Sequence, residues 1–404
     1  MISEKISGRF LGIFGFAVFL LVPSFDTLLK YFGTPGLAVY FIVGTGLIII
    51  GYRYVITPFH SLVSERQAIY LAIFTFVFLT VITAYVYPIA NSGRFGGGTD
   101  IDDAMIIGAS EIIQGHYPYY RQTYLGGWIS PMPGTILLSV PFVFINLLPY
   151  QNIFWLLLFF IAVRANLKSN VYALGLLWTI LLFSPTFYQV LVTGSDHISN
   201  TLYVLIGMWF MVRSISDRGS SLWQRLWPTV LFGIGLSSRS NFLLLVPLLI
   251  SVLAQNSDRK LAFKYVALAG LVFSSVTLPF WLYDPGAFTP LVVQSYKIQV
   301  LEGVLPYARI IIPGSAFILS LVFSCTRMEK DCAVLFRNSA IVQLFVLLFS
   351  SILFALQTGQ LTLFMGTSGY GMFTLFFGLL STWIILRRKT RSSENNSSRE
   401  LSTA

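Results

Sequence analysis

Long apolar runs alternate with short polar intervals along this chain, from the first tens of residues to beyond Trp383. Crossing a bilayer as a helix takes roughly 20 mostly apolar residues, because backbone groups in hydrocarbon must be bonded within the segment. The alternation predicts spans at 10–31, 36–56, 68–89, 151–165, 170–186, 198–213, 226–238, 240–255, 263–283, 308–325, 338–356 and 367–386. The stretch GTILLSVPFVFINLLPY at 134–150 is apolar too, but short and broken by prolines, so it is placed on the outer membrane surface. The expected fold is an all-α polytopic membrane protein with about 12 transmembrane helices and both termini cytoplasmic. Residues 1–67 form an N-terminal transmembrane hairpin whose first span is retained, and 68–388 the main transmembrane region with an outer loop at 90–150. The polar end, 389–404, is expected to be a disordered tail.

Composition agrees with this layout: 55% of the 404 residues are hydrophobic and 10% charged, outside the range of soluble domains. A net charge of +10 would suit a nucleic-acid binder, but its distribution does not. Of the 26 Lys and Arg residues, all but Lys30, Arg94, Arg121, Arg239, Lys297 and Arg309 fall in intervals that this layout puts in the cytoplasm. That is the positive-inside pattern, and making 134–150 a span would invert it. Nucleic acid is therefore not an expected partner, whereas membrane lipid is. Cys325 and Cys332 form neither a disulfide framework nor a paired metal motif and are read as free thiols.

The longest polar interval is NSGRFGGGTDIDDAMIIGASEIIQGHYPYYRQTYLGGWISPMP, Asn91–Pro133. It carries Asp100, Asp102, Asp103 and Glu111, then the aromatic run with Tyr119, Tyr120, Arg121 and Trp128. One reading makes the acids helix caps and first-turn residues favoured by the helix dipole. The other makes one of them a general base or metal ligand at the mouth of a cavity. The tyrosines are either interfacial belt residues or face a sugar or lipid. Basic residues on the outer face are functional candidates in their own right. Arg239 sits in SSRSN at a break between two short helices, while Lys297 and Arg309 belong to the second large outer loop and its edge. Asp196 and His197, in TGSDHISN, are structural groups, acceptor contacts or ligands of a divalent metal.

Taken in order, Gly98-Thr99-Asp100, a helix, Gly115-x-x-Pro118-Tyr119 and the run to Pro131-x-Pro133 resemble the first outer loop of GT-C glycosyltransferases. The pattern is most like the polyprenyl-phosphate-mannose-dependent mannosyltransferases. LLFSPTFYQVLVTGSDHISN and LFGIGLSSRSNFLLLVPLL are similar to that group's second outer loop and broken helix pair, so the likeness runs from Tyr85 to Pro247. It implies a GT-C-like fold, a polyprenyl-phosphate sugar donor (mannose or another hexose), a lipid- or glycan-linked acceptor, and a catalytic aspartate in the first outer loop. Asp100 matches that position best, with Asp103 the alternative and Asp102 within the same ambiguity. The site would lie on the extracytoplasmic face of a prokaryotic plasma membrane. The hairpin carrying Asp26 and Lys30 departs from the family pattern.

Such chemistry needs little more. A base takes the proton of the attacking hydroxyl, and Arg or Lys stabilises the departing phosphate. The sequence shows no Gly-rich nucleotide fingerprint. The competing reading is a secondary transporter or flippase, and a third is a polysaccharide polymerase or ligase using a lipid-linked donor. Transport is disfavoured because the ionisable residues gather at the outer boundary and no inverted repeat is visible.

Overall fold

The computed structural model describes residues 2–51, 62–92, 94, 99–363 and 369–403, with side chains from 12 to 388 within those ranges. The Gly96–Gly98 run and the end of the 36–56 span lie outside them. In chain order the helices are α1 (Ile2–Leu21), α2 (Phe25–Ile50), α3 (Glu65–Ala90), α4 (Ile101–Ile113), α5 (Pro133–Phe144), α6 (Gln151–Leu167), α7 (Asn170–Phe183) and α8 (Pro185–Val192). They continue as α9 (His197–Ser216), α10 (Leu222–Leu236), α11 (Val246–Asn256), α12 (Arg259–Tyr283), α13 (Thr289–Gln299), α14 (Ala308–Ser324), α15 (Ala333–Thr358) and α16 (Gly371–Thr403). No strand occurs among the described residues beyond one isolated bridge, Gln122 with Trp128.

Among the described residues seven stretches are long and apolar enough to cross a bilayer, or up to nine if each of two bent helix pairs counts as one span. The chain is a multi-pass membrane protein, with fewer candidate crossings than the twelve expected. The difference has local causes. The expected span at 170–186 is α7, which stops at Ser184 and turns 88° into α8. Pro185 removes an amide and clashes with the preceding turn, while the Ser184 hydroxyl accepts from the Phe187 amide to start the new helix. The spans expected at 226–238 and 240–255 are α10, 15 residues long, and a 3-10 turn running into the 11-residue α11. At 1.5 Å per residue α10 reaches roughly 22 Å, and the 3-10 turn with α11, Ser240–Asn256, roughly 28 Å, both short of the roughly 30 Å hydrocarbon core. The first two expected spans form one 39-residue apolar stretch, Gly12–Ile50. It is folded back on itself near Gly33 (φ 64°), and a Cβ at Gly44 would come within 2.9 Å of a Leu21 methyl. The backbone of 389–403, expected to be a disordered tail, continues α16 as helix. That segment holds no Gly or Pro to stop it.

Helix α9 is the centre of the bundle. Every residue in it except Phe210, Arg213 and Ser216 is buried. Close approach depends on small residues, as expected where helices associate by packing rather than by escape from water. A Cβ at Gly207 of α9 would meet the Phe232 backbone at 3.1 Å, and one at Gly233 of α10 the Ala269 carbonyl of α12 at 2.7 Å.

The interval 99–150 builds a cap over one end of this bundle. Ala104 and Ala109 of α4, Ile136 of α5, Tyr119, Ile129 and Phe288 form a separate small core. Helix α5, 12 residues and about 18 Å, is too short to span, in keeping with the placement of 134–150 outside the crossing segments. Its first turn docks on the end of α10, where the Gly134 amide donates to the Ser237 carbonyl at 2.8 Å. A Cβ at Gly134 would lie 2.2 Å from the Ile234 carbonyl oxygen. Gly134→Ala is therefore expected to cost roughly 1–3 kcal/mol, as overpacking does. Thermal unfolding in detergent should show a lowered midpoint; an unchanged midpoint would mean that α5 does not seat on α10 as described.

Candidate functional site

The turn Thr193–His197 between α8 and α9 divides the polar interior of the capped end into two halves. On one side stands a buried ion pair. The carboxylate of Asp196 at the start of α9 receives Arg239 Nη2 at 2.6 Å on each oxygen, with Asp196 fully buried and the Arg239 side chain 11% exposed. Asn200 Nδ2 donates to Asp196 Oδ2 at 2.8 Å from one turn along the helix. The helix N-terminus favours an anion here as well. Burial opposes the charge on Asp196, but Arg239 overrides it and holds the carboxyl below its ordinary value. This contribution to stability is present above the unfolded carboxylate value of about 3.9 and is lost as pH falls through the depressed folded value.

Arg239 reaches Asp196 because α10 ends at Leu236. The backbone of Ser237–Arg239 leaves the helix there, and its polar groups are satisfied by neighbours. Ser237 accepts from Gly134 through its carbonyl and shares a hydrogen bond with Thr277 at 2.7 Å. Thr135 donates to the Ser238 carbonyl at 3.1 Å. Asn241 and Gln343 of α15 exchange hydrogen bonds at 2.6 and 3.1 Å. In front of Arg239 is a cavity of about 130 Å³ lined by Ser130, Asn241, Lys297, Gln343 and Tyr370 among others. The guanidinium carbon lies 5.8 Å from the Tyr370 ring centre, and its buried Nε has no partner.

On the other side of the turn is Asp102. It is 5% exposed, with Oδ2 receiving the Tyr87 hydroxyl at 2.7 Å and Asn91 Nδ2 at 2.8 Å. Its Oδ1 is buried without a partner. Gly194, at φ 69°, lies directly against it: a Cβ there would come within 3.2 Å of the Asp102 Cβ. Burial pushes this carboxyl up to about 6, against the opposing hydrogen bond from Tyr87. The sign is opposite to that of Asp196. Asp102 favours the fold when protonated, below about 3.9, and that contribution is lost as pH rises through about 6.

The other expected residues sort by what they touch. Asp100 accepts from the Thr123 hydroxyl at 2.8 Å and Asp103 from the Tyr124 amide at 2.8 Å, so both brace the 122–128 hairpin. Asp102 is the interior member of the three, a change from the order that the resemblance implies. Its position was readable from helix phase, since Asp102, Met105 and Ala109 share the buried face of α4 at helical spacing. Tyr119 is fully buried and donates to the Pro131 carbonyl at 3.2 Å, so it is a structural residue rather than a substrate contact. Tyr120 is exposed and donates to Asp284, tying the 99–150 cap to the segment that follows α12. Exposed Arg121 pairs with Glu111 at 3.0 Å, and exposed Arg309 with Glu302 at 3.2 Å, both away from the cavity. Trp128 is 51% exposed. His197 is fully buried between Tyr370 and Phe373, with Nδ1 2.7 Å from the Ser195 hydroxyl, which excludes a solvated loop histidine. Among the described residues no three His, Cys, Asp or Glu side chains converge as a metal-binding set. Gln343 and Tyr370 were not anticipated, although a glutamine within an expected span is itself a signal.

No protein-family model, curated protein or solved structure matches the chain. Arg239→Gln alone leaves a buried carboxylate without its counter-charge and is expected to cost roughly 3–5 kcal/mol. Combining it with Asp196→Asn should recover part of that loss, with a coupling of roughly 0.5–3 kcal/mol in unfolding measurements. Strictly additive losses would mean that the two side chains do not pair.

Proposed function

We propose that the protein is a membrane glycosyltransferase that moves a hexose from a polyprenyl-phosphate donor to an acceptor hydroxyl at the outer membrane face, with Asp102 as general base. The observation that carries the reading is Asp102 itself: an interior carboxylate with one unpartnered oxygen, held at about 6, across one turn from a buried arginine. A base poised near neutral pH is suited to take a hydroxyl proton. Arg239, with Lys297 on the rim of the same cavity, supplies positive charge for a phosphate leaving group where water is scarce. The acceptor oxygen attacks the anomeric carbon, the bond from that carbon to the phosphate oxygen breaks, and the proton passes to Asp102. The resemblance of the first outer loop to GT-C enzymes supports the same assignment, and the charge asymmetry between the two faces supports the outer location.

A transporter would move an unchanged substrate. The ionisable groups here gather at the ends of helices, at the start of α9 and at the α10 break, rather than midway along spans.

Purified protein incubated with radiolabelled polyprenyl-phosphate mannose and a membrane lipid extract should form labelled product. Asp102→Asn is expected to lower the rate roughly 10²- to 10⁴-fold, the usual worth of a positioned base. Asp100→Asn and Asp103→Asn should act more weakly, through the hairpin. The wild-type rate should rise with pH through about 6 as Asp102 loses its proton. Undiminished transfer by Asp102→Asn, or a rate flat across that range, would remove Asp102 from the role of base.

A further inference from the structure

At the end of the bundle away from the cap, where α3 and α7 begin and α6 stops, lies a cleft of about 450 Å³. Glu65, Ile161, Arg164, Lys168, Ser169 and Asn170 line it. Its volume is within the range of small-molecule sites. Both α3 and α6 connect it to the capped end. Asn152, in the first turn of α6, donates to the Ser195 carbonyl, and Asn91, just past the end of α3, donates to Asp102. The cleft therefore sits on the side that the charge asymmetry assigns to the cytoplasm.

The one carboxylate in the lining is already occupied. Glu65 Oε1 accepts from the Ser169 hydroxyl and Oε2 from the Asn170 amide, while Asn170 Nδ2 donates to the Glu65 carbonyl at 3.1 Å. Arg164 and Lys168 are exposed, and neither has an ion-pair partner among the described residues. A third exposed cation, Arg213, donates to Asn166 Oδ1 at the same end of α6. The dipole of α6 favours a cation in its last turn. Three cations, with the lining's carboxylate spent on the start of α7, exceed that need and leave a local positive excess.

The helix face leading to these cations is apolar. Phe154, Leu157 and Ile161 are exposed and share one face of α6 with Arg164 and Lys168 at helical spacing. From Phe154 to Arg164 that face runs roughly 15 Å, the depth of one leaflet. An exposed apolar stripe that ends in cations fits an amphiphile with a hydrocarbon tail and an anionic head. A free phosphate would leave the stripe unused.

We propose that this cleft binds the phosphate headgroup of an anionic phospholipid at Arg164 and Lys168, with an acyl chain along Phe154, Leu157 and Ile161. The lipid thereby links the ends of α3, α6 and α7. The site is separate from the proposed transfer chemistry and stands or falls without it.

Full-length protein in detergent would be titrated with phosphatidylglycerol, phosphatidylcholine or inorganic phosphate, and bound lipid counted by native mass spectrometry. Phosphatidylglycerol should be retained in preference to phosphatidylcholine and should not be displaced by inorganic phosphate. Arg164→Gln combined with Lys168→Gln should weaken its binding about 30-fold, the usual worth of two basic residues near an anionic surface. Arg259→Gln combined with Lys260→Gln, at the start of α12, removes the same charge elsewhere and should leave binding unchanged. All four side chains are exposed, so both variants should keep the wild-type unfolding midpoint without lipid. A phosphatidylglycerol carrying a diazirine in one acyl chain should label a peptide containing Phe154, Leu157 or Ile161. Equal retention of phosphatidylcholine would overturn the proposal in favour of unselective bilayer lipid, and equal losses in the two double variants in favour of diffuse charge. Displacement by inorganic phosphate would make the cleft a soluble-anion site. Undiminished binding by the Arg164 and Lys168 variant, or labelling confined to other helices, would sink the site altogether.

Discussion

The arrangement of the capped end depends on one buried ion pair, Asp196 with Arg239. Neither partner is tolerable there alone, because an isolated charge loses its hydration on burial. Their union constrains two backbone features. Helix α10 must stop at Leu236 so that the chain can present Arg239, and α9 must begin where the Thr193–His197 turn aims Asp196 at it. The Ser237 and Ser238 carbonyls freed at the α10 break accept from Gly134 and Thr135 of α5, which brings the 99–150 cap onto the bundle. Asn241 and Gln343 then tie the same break to α15.

The turn that carries Asp196 also carries Gly194, and Gly194 leaves no room between itself and Asp102. Two carboxylates are thereby placed in opposite electrostatic states within one short segment's reach. Asp196 is held ionised by a cation, whereas burial shifts Asp102 towards its neutral form at mildly acidic pH. Carboxyls pushed apart in this way are what acid–base chemistry requires of a site. The proposed cationic group and the proposed base thus flank one turn.

Much of this was legible in the chain. The apolar periodicity and the placement of basic residues pointed to the multi-pass helical class, and the acidic loop, Asp196 and Arg239 stood out as polar residues in an apolar sequence. Their pairing did not, because 43 residues separate them and only the helix break brings them together. The described residues hold seven to nine candidate crossings where twelve were expected, for a related reason. Hydropathy registers α7, α10 and α11 as apolar but does not register the turn at Pro185 or the 3-10 start of α11. Tyr119 shows the limit of residue type as a guide: the feature that suggested a ligand contact is spent on the cap's own core. Asp102 was passed over in favour of Asp100 and Asp103, although the helical face it shares with Met105 and Ala109 distinguishes it as the inward aspartate.

The central claim, covalent transfer at the outer face rather than passage across the membrane, has a direct chemical readout. Sealed right-side-out proteoliposomes would receive radiolabelled polyprenyl-phosphate mannose in the outer leaflet together with a membrane lipid extract. Sugar bound through phosphate is released by mild acid, whereas sugar in a glycosidic bond is not. The account predicts acid-stable label that remains in the outer leaflet. Label that reaches the inner leaflet or lumen still acid-labile would contradict it and identify a transporter.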